Sequence, residues 1–130
     1  MDLPTVLHVE PAEDDRILVE RIHRRHAPPS RLVQFGSPSA ARLALDGGLK
    51  PALVLVAAGV EPETGETFAR WFRSRHGGHA RMFLLTGNVD PDVTHRALSA
   101  GADGVIYRTS DIGRMAAALT AVFEAHLSPT

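Results

Sequence analysis

No cysteine occurs in this chain. That absence excludes disulfides, thiolate catalysis and every Cys-ligated zinc or iron–sulfur site, and it fits a cytoplasmic setting. Long hydrophobic runs are missing as well. The longest, Leu53 to Val60, falls far short of the roughly 18 residues that a membrane helix needs. The opening Met-Asp-Leu-Pro-Thr also lacks the basic segment of a secretory leader. Charge of one sign is not in excess: a formal net charge of −1 provides no long-range attraction to nucleic acid. G-x-G-x-x-G and Walker-type loops are absent, which weighs against a nucleotide enzyme. The expectation is a soluble domain with no membrane segment and no nucleic-acid partner.

What is present is ordinary globular material, 44% apolar and 22% charged over 130 residues. That is enough for one domain, expected over residues 3–127, with a single core between two helical layers. Thr5 to Val9 is a β-branched and apolar first strand, stopped by Glu10-Pro11. Glu13, Asp14 and Asp15 place acids at the start of a helix, on the favourable side of its dipole. Ile17, Leu18, Arg21 and Ile22 continue that helix to His23-Arg24-Arg25-His26, before Pro28-Pro29. Arg31 to Phe35 is a short second strand. Ser37-Pro38 is a cap with proline in the first turn, and Ala40, Ala41, Leu43, Ala44 and Leu45 carry the helix to the Gly47-Gly48 stop.

Leu53 to Val56 is an unbroken apolar run, the pattern of a parallel strand covered on both faces. It empties through Ala57, Ala58 and Gly59 into a loop reaching Gly65, at the carboxyl end of a central strand, where open α/β sheets place their sites. Thr64 caps a third helix whose Phe68, Trp71 and Phe72 form a core with an exposed edge, and Gly77-Gly78 ends it. Met82 to Leu85 is a fourth strand ending in Thr86-Gly87. Asp90-Pro91 opens a helix through Val93, Leu98 and Ala100 that Gly101 closes in the left-handed conformation. Val105 to Tyr107 is the fifth strand. Thr109, Ser110 or Asp111 caps a last helix with Ile112, Met115, Ala116, Leu119, Val122 and Phe123 on one stripe. Five β-α units with short connections predict an α/β fold: a five-stranded parallel sheet, doubly wound, with right-handed crossovers.

The order of these pieces resembles the response-regulator receiver domain, the flavodoxin-like module of two-component signalling. The resemblance covers nearly the whole chain. It rests on Pro51-Ala52-Leu53-Val54-Leu55-Val56, on Gly65, on Leu84-Leu85-Thr86-Gly87 and above all on Ala100-Gly101-Ala102-Asp103-Gly104. It implies a (βα)5 sheet in strand order 2-1-3-4-5. It also implies a site built from an acidic pair after the first strand, an aspartate ending the third, Thr or Ser ending the fourth, and lysine ending the fifth. On this chain the acidic pair falls on Glu10 and Pro11, the latter at a magnesium-ligating position. The phosphoacceptor falls on Ala57 and the lysine on Arg108, which Thr109 follows in place of the usual proline. Thr86 alone is unchanged. The aromatic switch position falls on Val105, with Tyr107 two residues later and on the same face.

A methyl group is no nucleophile, and Glu10 alone is a poor cage for Mg²⁺, which prefers octahedral oxygen ligands. The expectation is a pseudo-receiver: not an enzyme, with no cofactor and with magnesium binding lost. It would act through a protein partner or a homodimer on the face of the fourth helix, fifth strand and fifth helix, about Pro91 to His126. Within the degenerate site, Arg108 is expected to pair with Glu10 and lock one conformation. A second reading makes Thr86, Arg108 and the N–H groups after Ala57 a residual cradle for a small anion or a phosphorylated ligand. A third keeps phosphorelay chemistry with a displaced acceptor among Glu61, Glu63, Asp14 and Asp15.

Other constellations have plain readings. His76-Gly77-Gly78-His79 lacks a third metal ligand and reads as a solvated turn. His8 reads as a hydrogen-bonded, partly buried strand residue. The basic run Arg21 to His26, with Arg70, Arg73, Arg75 and Arg81, reads as dipole complements and solvated faces, since no helix-turn-helix or aromatic platform accompanies it.

Overall fold

A computed structural model describes residues 3–59 and 64–127. Strands β1 (Thr5–Val9), β2 (Arg31–Phe35), β3 (Leu53–Ala57), β4 (Arg81–Thr86) and β5 (Gly104–Tyr107) alternate with five helices. These are α1 (Glu13–His26), α2 (Pro38–Asp46), α3 (Gly65–His76), α4 (Pro91–Ser99) and α5 (Ile112–Leu127). The sheet is parallel throughout, in the order β2-β1-β3-β4-β5. This is the flavodoxin-like receiver fold. The register puts Val9 beside Val56, Ala57 beside Leu85, and Thr86 beside Tyr107, so the carboxyl ends of β1, β3, β4 and β5 meet at one edge.

The alternation of side chains across each strand divides the core in two. Leu7, Val9, Val54, Val56, Met82 and Leu84 face Ala41, Leu45, Phe68, Phe72 and Ala97 of α2, α3 and α4. Val6, Leu53, Leu55, Leu85 and Ile106 face Val19, Ile22, Met115, Leu119 and Phe123 of α1 and α5. Every residue of β1 and β3 is buried, as the unbroken apolar run of β3 predicts.

Three caps hold where the sequence places them. Ser37 accepts from the Ala40 N–H, Thr64 from Thr67, and Asp90 from Asp92. The last helix is capped by Asp111, whose Oδ1 accepts from the Arg114 N–H, while Thr109 Oγ1 accepts from Asp111 itself. Gly77 and Gly101 both take positive φ.

Three apolar helix residues face outward, and of these Ile112 departs from the stripe that the sequence predicts. In α1 the buried pair is Val19 and Ile22, and Ile17 is turned outward, 40% exposed. Ile112 at the start of α5 is 59% exposed, because the stripe runs through Met115, Leu119, Phe123 and Leu127. Leu98 on α4 is 49% exposed, the contact with the sheet being made by Val93 and Ala97.

Arg73 is not a solvated cation. Its Nε donates to Gly101 O at 2.8 Å, Nη1 to Ala80 O at 2.7 Å, and Nη2 to Asp103 Oδ2 at 3.0 Å. Asp103 Oδ2 also accepts from the Met82 N–H. His76 likewise is tied down, its Nε2 lying 3.1 Å from Asp46 Oδ1 and its ring packing on Phe72 and Trp71. Among the described residues no group of His, Asp and Glu is placed to hold a metal ion, and no helix is long and apolar enough to cross a membrane.

Candidate functional site

At the carboxyl edge, the first requirement is close approach of α3 to the end of β3. A Cβ at Gly65 would stand 2.5 Å from Ala57 O and 3.0 Å from Ala58 Cα, so glycine is what permits the contact. The Gly65 N–H donates to Ala58 O, and the Ala58 N–H donates to Leu85 O. Ala57 is 2% exposed and brings a methyl group where the strand ends.

Beside it, the end of β1 carries Glu10, 2% exposed. Glu10 Oε2 accepts from the Ala12 N–H at 3.2 Å, and Oε1 lies 3.6 Å from Arg108 Nη1 without a hydrogen bond. Burial raises the Glu10 pKa above the usual carboxylate value. The Ala12 N–H and the Arg108 charge oppose that rise, and Asp15 adds to it. Pro11 is exposed and contributes only its carbonyl oxygen, which accepts from Arg16 Nη1 at 3.0 Å. The same Nη1 donates to Glu10 O at 2.7 Å, so Arg16 clamps the turn between β1 and α1.

The expected Glu10–Arg108 pair is present but is the weaker half of a larger arrangement. Arg108 Nη1 donates to Asp15 Oδ2 at 2.5 Å. The short contact is the one to α1, because the first turns of α1 bring Asp15 over the β5 end while Glu10 stays at strand level. One guanidinium N–H group thus lies between two carboxylates. Arg108 Nε is buried and finds no partner among the described residues.

Thr86 is 5% exposed. Its hydroxyl accepts from the Asn88 N–H at 3.1 Å and its carbonyl from the Arg108 N–H at 2.8 Å. Tyr107 shares a face with Val105, but where Val105 packs against the core its neighbour is 38% exposed, with Oη 3.0 Å from Thr94 Oγ1 on α4.

His8, two residues before Glu10 on the same face of β1, has no exposed surface. Gln34 Nε2 donates to His8 Nδ1 at 3.1 Å and to Arg16 O at 2.8 Å, which leaves the ring proton on His8 Nε2, where no partner meets it. Burial first, then the charges of Arg16 and Arg108, lower its pKa to about 4. Sequence reasoning found His8 but missed Arg16 and the Asp15 contact. Spacing alone does not show which carboxylate a cation from the far end of the chain will meet.

The arrangement does not fit the divalent cation that receiver domains imply. Glu10 and Asp15 are the carboxylates that reach Arg108 among the described residues. The cation between them is Arg108 itself, and a hard metal ion there would face a fixed positive charge. The anion cradle is also reduced: the Ala58 N–H and one N–H of Arg108 are already committed. Asp15 is engaged by Arg108, Asp14 is exposed at the start of α1, and Glu61 and Glu63 lie outside the described residues.

No model of a known protein family matches the chain, and no curated protein does either. Solved structures do. The chain is similar to the phosphorylated cyanobacterial phytochrome response regulator RcpA, with TM-score 0.86 and 14% identity over 97% of this chain and 95% of that one. It is similar to the Mn²⁺-bound response regulator Rcp1, with TM-score 0.85 and 13% identity over 98% and 96%. A response regulator in red light signalling of R. palustris aligns with TM-score 0.82 and 20% identity over 98% and 99%. At such identities the likeness is one of fold.

Proposed function

We propose that this chain is a receiver-like signalling module that works without aspartyl phosphorylation and without bound magnesium, through contacts with a protein partner or a second copy of itself. The observation that carries the reading is the pair of changes at one edge: a methyl group ends β3, and an arginine held by Asp15 and Glu10 fills the place of a cation. Phosphoryl transfer to a carboxylate needs the nucleophile and the neutralising ion together. In their place, the Arg108–Asp15 link ties the β5 end to α1 and holds the edge in one arrangement.

The output face is α4, β5 and α5. Leu98, Tyr107 and Ile112 expose apolar surface there, and a groove of about 280 Å³ lined by Phe83, Val105, Tyr107 and Val122 runs beside them.

The test is intact-mass analysis of the protein incubated with magnesium and acetyl phosphate, beside the Ala57→Asp variant. The wild type is expected to gain no phosphoryl mass, and its self-association measured by sedimentation is expected to be the same with and without the donor. A labile adduct on the wild type would overturn the proposal, and mapping it would name the acceptor.

A further inference from the structure

The opposite edge of the sheet holds a cavity of about 320 Å³ between the end of α2 and the end of α3, within the size range of small-ligand sites. Its apolar surface comes from Leu45, Leu49, Pro51 and Phe72, and its polar rim from Lys50, His76 and His79. Two glycines in left-handed backbone, Gly48 (φ 113°) and Gly77 (φ 83°), turn the chain out of α2 and α3 and set the two loops that frame the opening. The wall on the α3 side is fixed in advance. His76 is held by Asp46 and stacked on Phe72, and Arg75 Nε also reaches Asp46 Oδ1 at 3.0 Å. Asp46, beside the opening, is thereby paired with Arg75 and His76.

Lys50 is different. It is the only lysine among the fourteen Lys and Arg residues of the chain. Among the described residues neither it nor His79 makes a hydrogen bond or ion pair, and both are exposed. A flexible ammonium at the mouth of an apolar cavity can fold over a bound group while its stem covers the apolar surface. On the surrounding edge Arg24, Arg73, Arg75 and Arg81 are paired with Glu20, Asp103 and Asp46, whereas Arg25 and Arg31 have no ion pair among the described residues, and that excess favours an arriving anion.

We propose that this cavity binds a small amphipathic carboxylate, its apolar body against Leu45, Leu49, Pro51 and Phe72 and its carboxylate on Lys50 and His79. The site lies at the end of the sheet away from Ala57 and does not rest on the reading of the carboxyl edge.

The test is titration of the full chain with benzoate, followed by amide proton–nitrogen shifts. Benzyl alcohol serves as the same body without charge and acetate as the charge without the body. Benzoate is expected to produce saturable shifts confined to residues 45–50 and 72–80, with benzyl alcohol and acetate each about tenfold weaker, as loss of one charge-assisted contact or of the apolar body requires. Lys50→Gln should weaken benzoate about tenfold while leaving benzyl alcohol unchanged and the rest of the spectrum in place. Leu49→Glu should abolish benzoate binding from the apolar side. The proposal is overturned if benzoate gives no saturable shifts at tens of millimolar. It is equally overturned if Lys50→Gln leaves benzoate binding intact, or if the shifts scatter over Arg31, Arg81 and the other basic positions.

Discussion

Replacing Arg108 by methionine removes the cation that stands between Glu10 and Asp15 while keeping an unbranched side chain of similar reach. Two losses follow. The Asp15 contact, with both partners about one-third exposed, is worth about 1 kcal/mol at most after solvent screening. Glu10 is a different matter, since its side chain is 3% exposed and Oε1 has no hydrogen bond to fall back on. Losing the opposite charge 3.6 Å away leaves this buried carboxylate with the Ala12 N–H on Oε2 alone, at a cost of about 1–3 kcal/mol. The sum is a loss of about 1–4 kcal/mol at neutral pH, a large part of the 5–15 kcal/mol typical of a domain.

The pH dependence separates this account from simple loss of packing. Burial already raises the Glu10 pKa in the wild type, and Arg108 opposes that rise. Without Arg108 the folded-state value goes higher still. Between the two folded-state values the variant keeps a proton that the wild type has released, so the stability difference grows as pH rises through that window. Below it Glu10 is protonated in both proteins and only the small Asp15 contribution remains. The assay is urea unfolding of both proteins at pH 5 and pH 8, repeated in a Glu10→Leu background, where Arg108→Met is expected to cost about 1 kcal/mol or less. A loss that is equal at the two pH values, or unchanged in the Glu10→Leu background, would refute the reasoning.

Two further stability predictions follow from the same edge. Gly65→Ala drives a Cβ into the backbone at Ala57 and Ala58 and is expected to cost about 1–3 kcal/mol in urea unfolding. Gly59→Ala, where nothing lies within 4 Å, is the control expected to be near neutral. His8 titrates at about 4 in the fold against an ordinary value of 6.5, so the unfolded chain binds the extra proton in that interval and stability falls as pH drops through it. By linkage this limb amounts to on the order of 3 kcal/mol. His8→Leu should flatten it relative to the wild type between pH 7 and pH 4, and unchanged acid sensitivity would count against a neutral buried imidazole.

Local signals were readable wherever the cause is local. Ser37, Thr64 and Asp90 announce helix starts because the cap bond spans two or three residues. Leu53 to Val56 announces a central strand because burial on both faces leaves no room for alternation. The strand order came only through resemblance, since nothing in a strand's own residues names its neighbour. Within the site, the positions Glu10, Pro11, Ala57, Thr86 and Arg108 do gather at one edge, and Arg108 pairs with Glu10 as expected, but its closer partner Asp15 is not legible in the sequence. That pairing depends on how far α1 rotates Asp15 over the sheet. Arg73 was missed for a related reason. Its acceptors are mostly backbone carbonyls at Gly101 and Ala80, and no residue type in the sequence marks a carbonyl that needs a donor.

The most specific part of the resemblance, Ala100 to Gly104, has a structural explanation that involves no phosphoryl chemistry. Gly101 takes φ 104° with Arg73 Cγ where its Cβ would stand, so only glycine suits the turn and the contact together. Asp103 accepts from the Met82 N–H and from Arg73, fixing the start of β5 against β4 and the end of α3. Gly104 lies flat against the Phe83 ring, which a Cβ would meet at 3.1 Å. All of this happens at the amino edge of the sheet, the far end from Ala57. The stretch therefore speaks for the fold and is silent about the site. At the carboxyl edge, the residues that serve the backbone, Gly65 and Thr86, match the receiver pattern that the sequence resembles. Ala57, Pro11 and Arg108, which stand where carboxylates and lysine would meet a metal and a phosphoryl group, do not. A chain under demand only to keep its shape and its exposed α4, β5 and α5 surface would hold on to that same subset, and this division is the strongest argument for reading the domain as a scaffold for contacts.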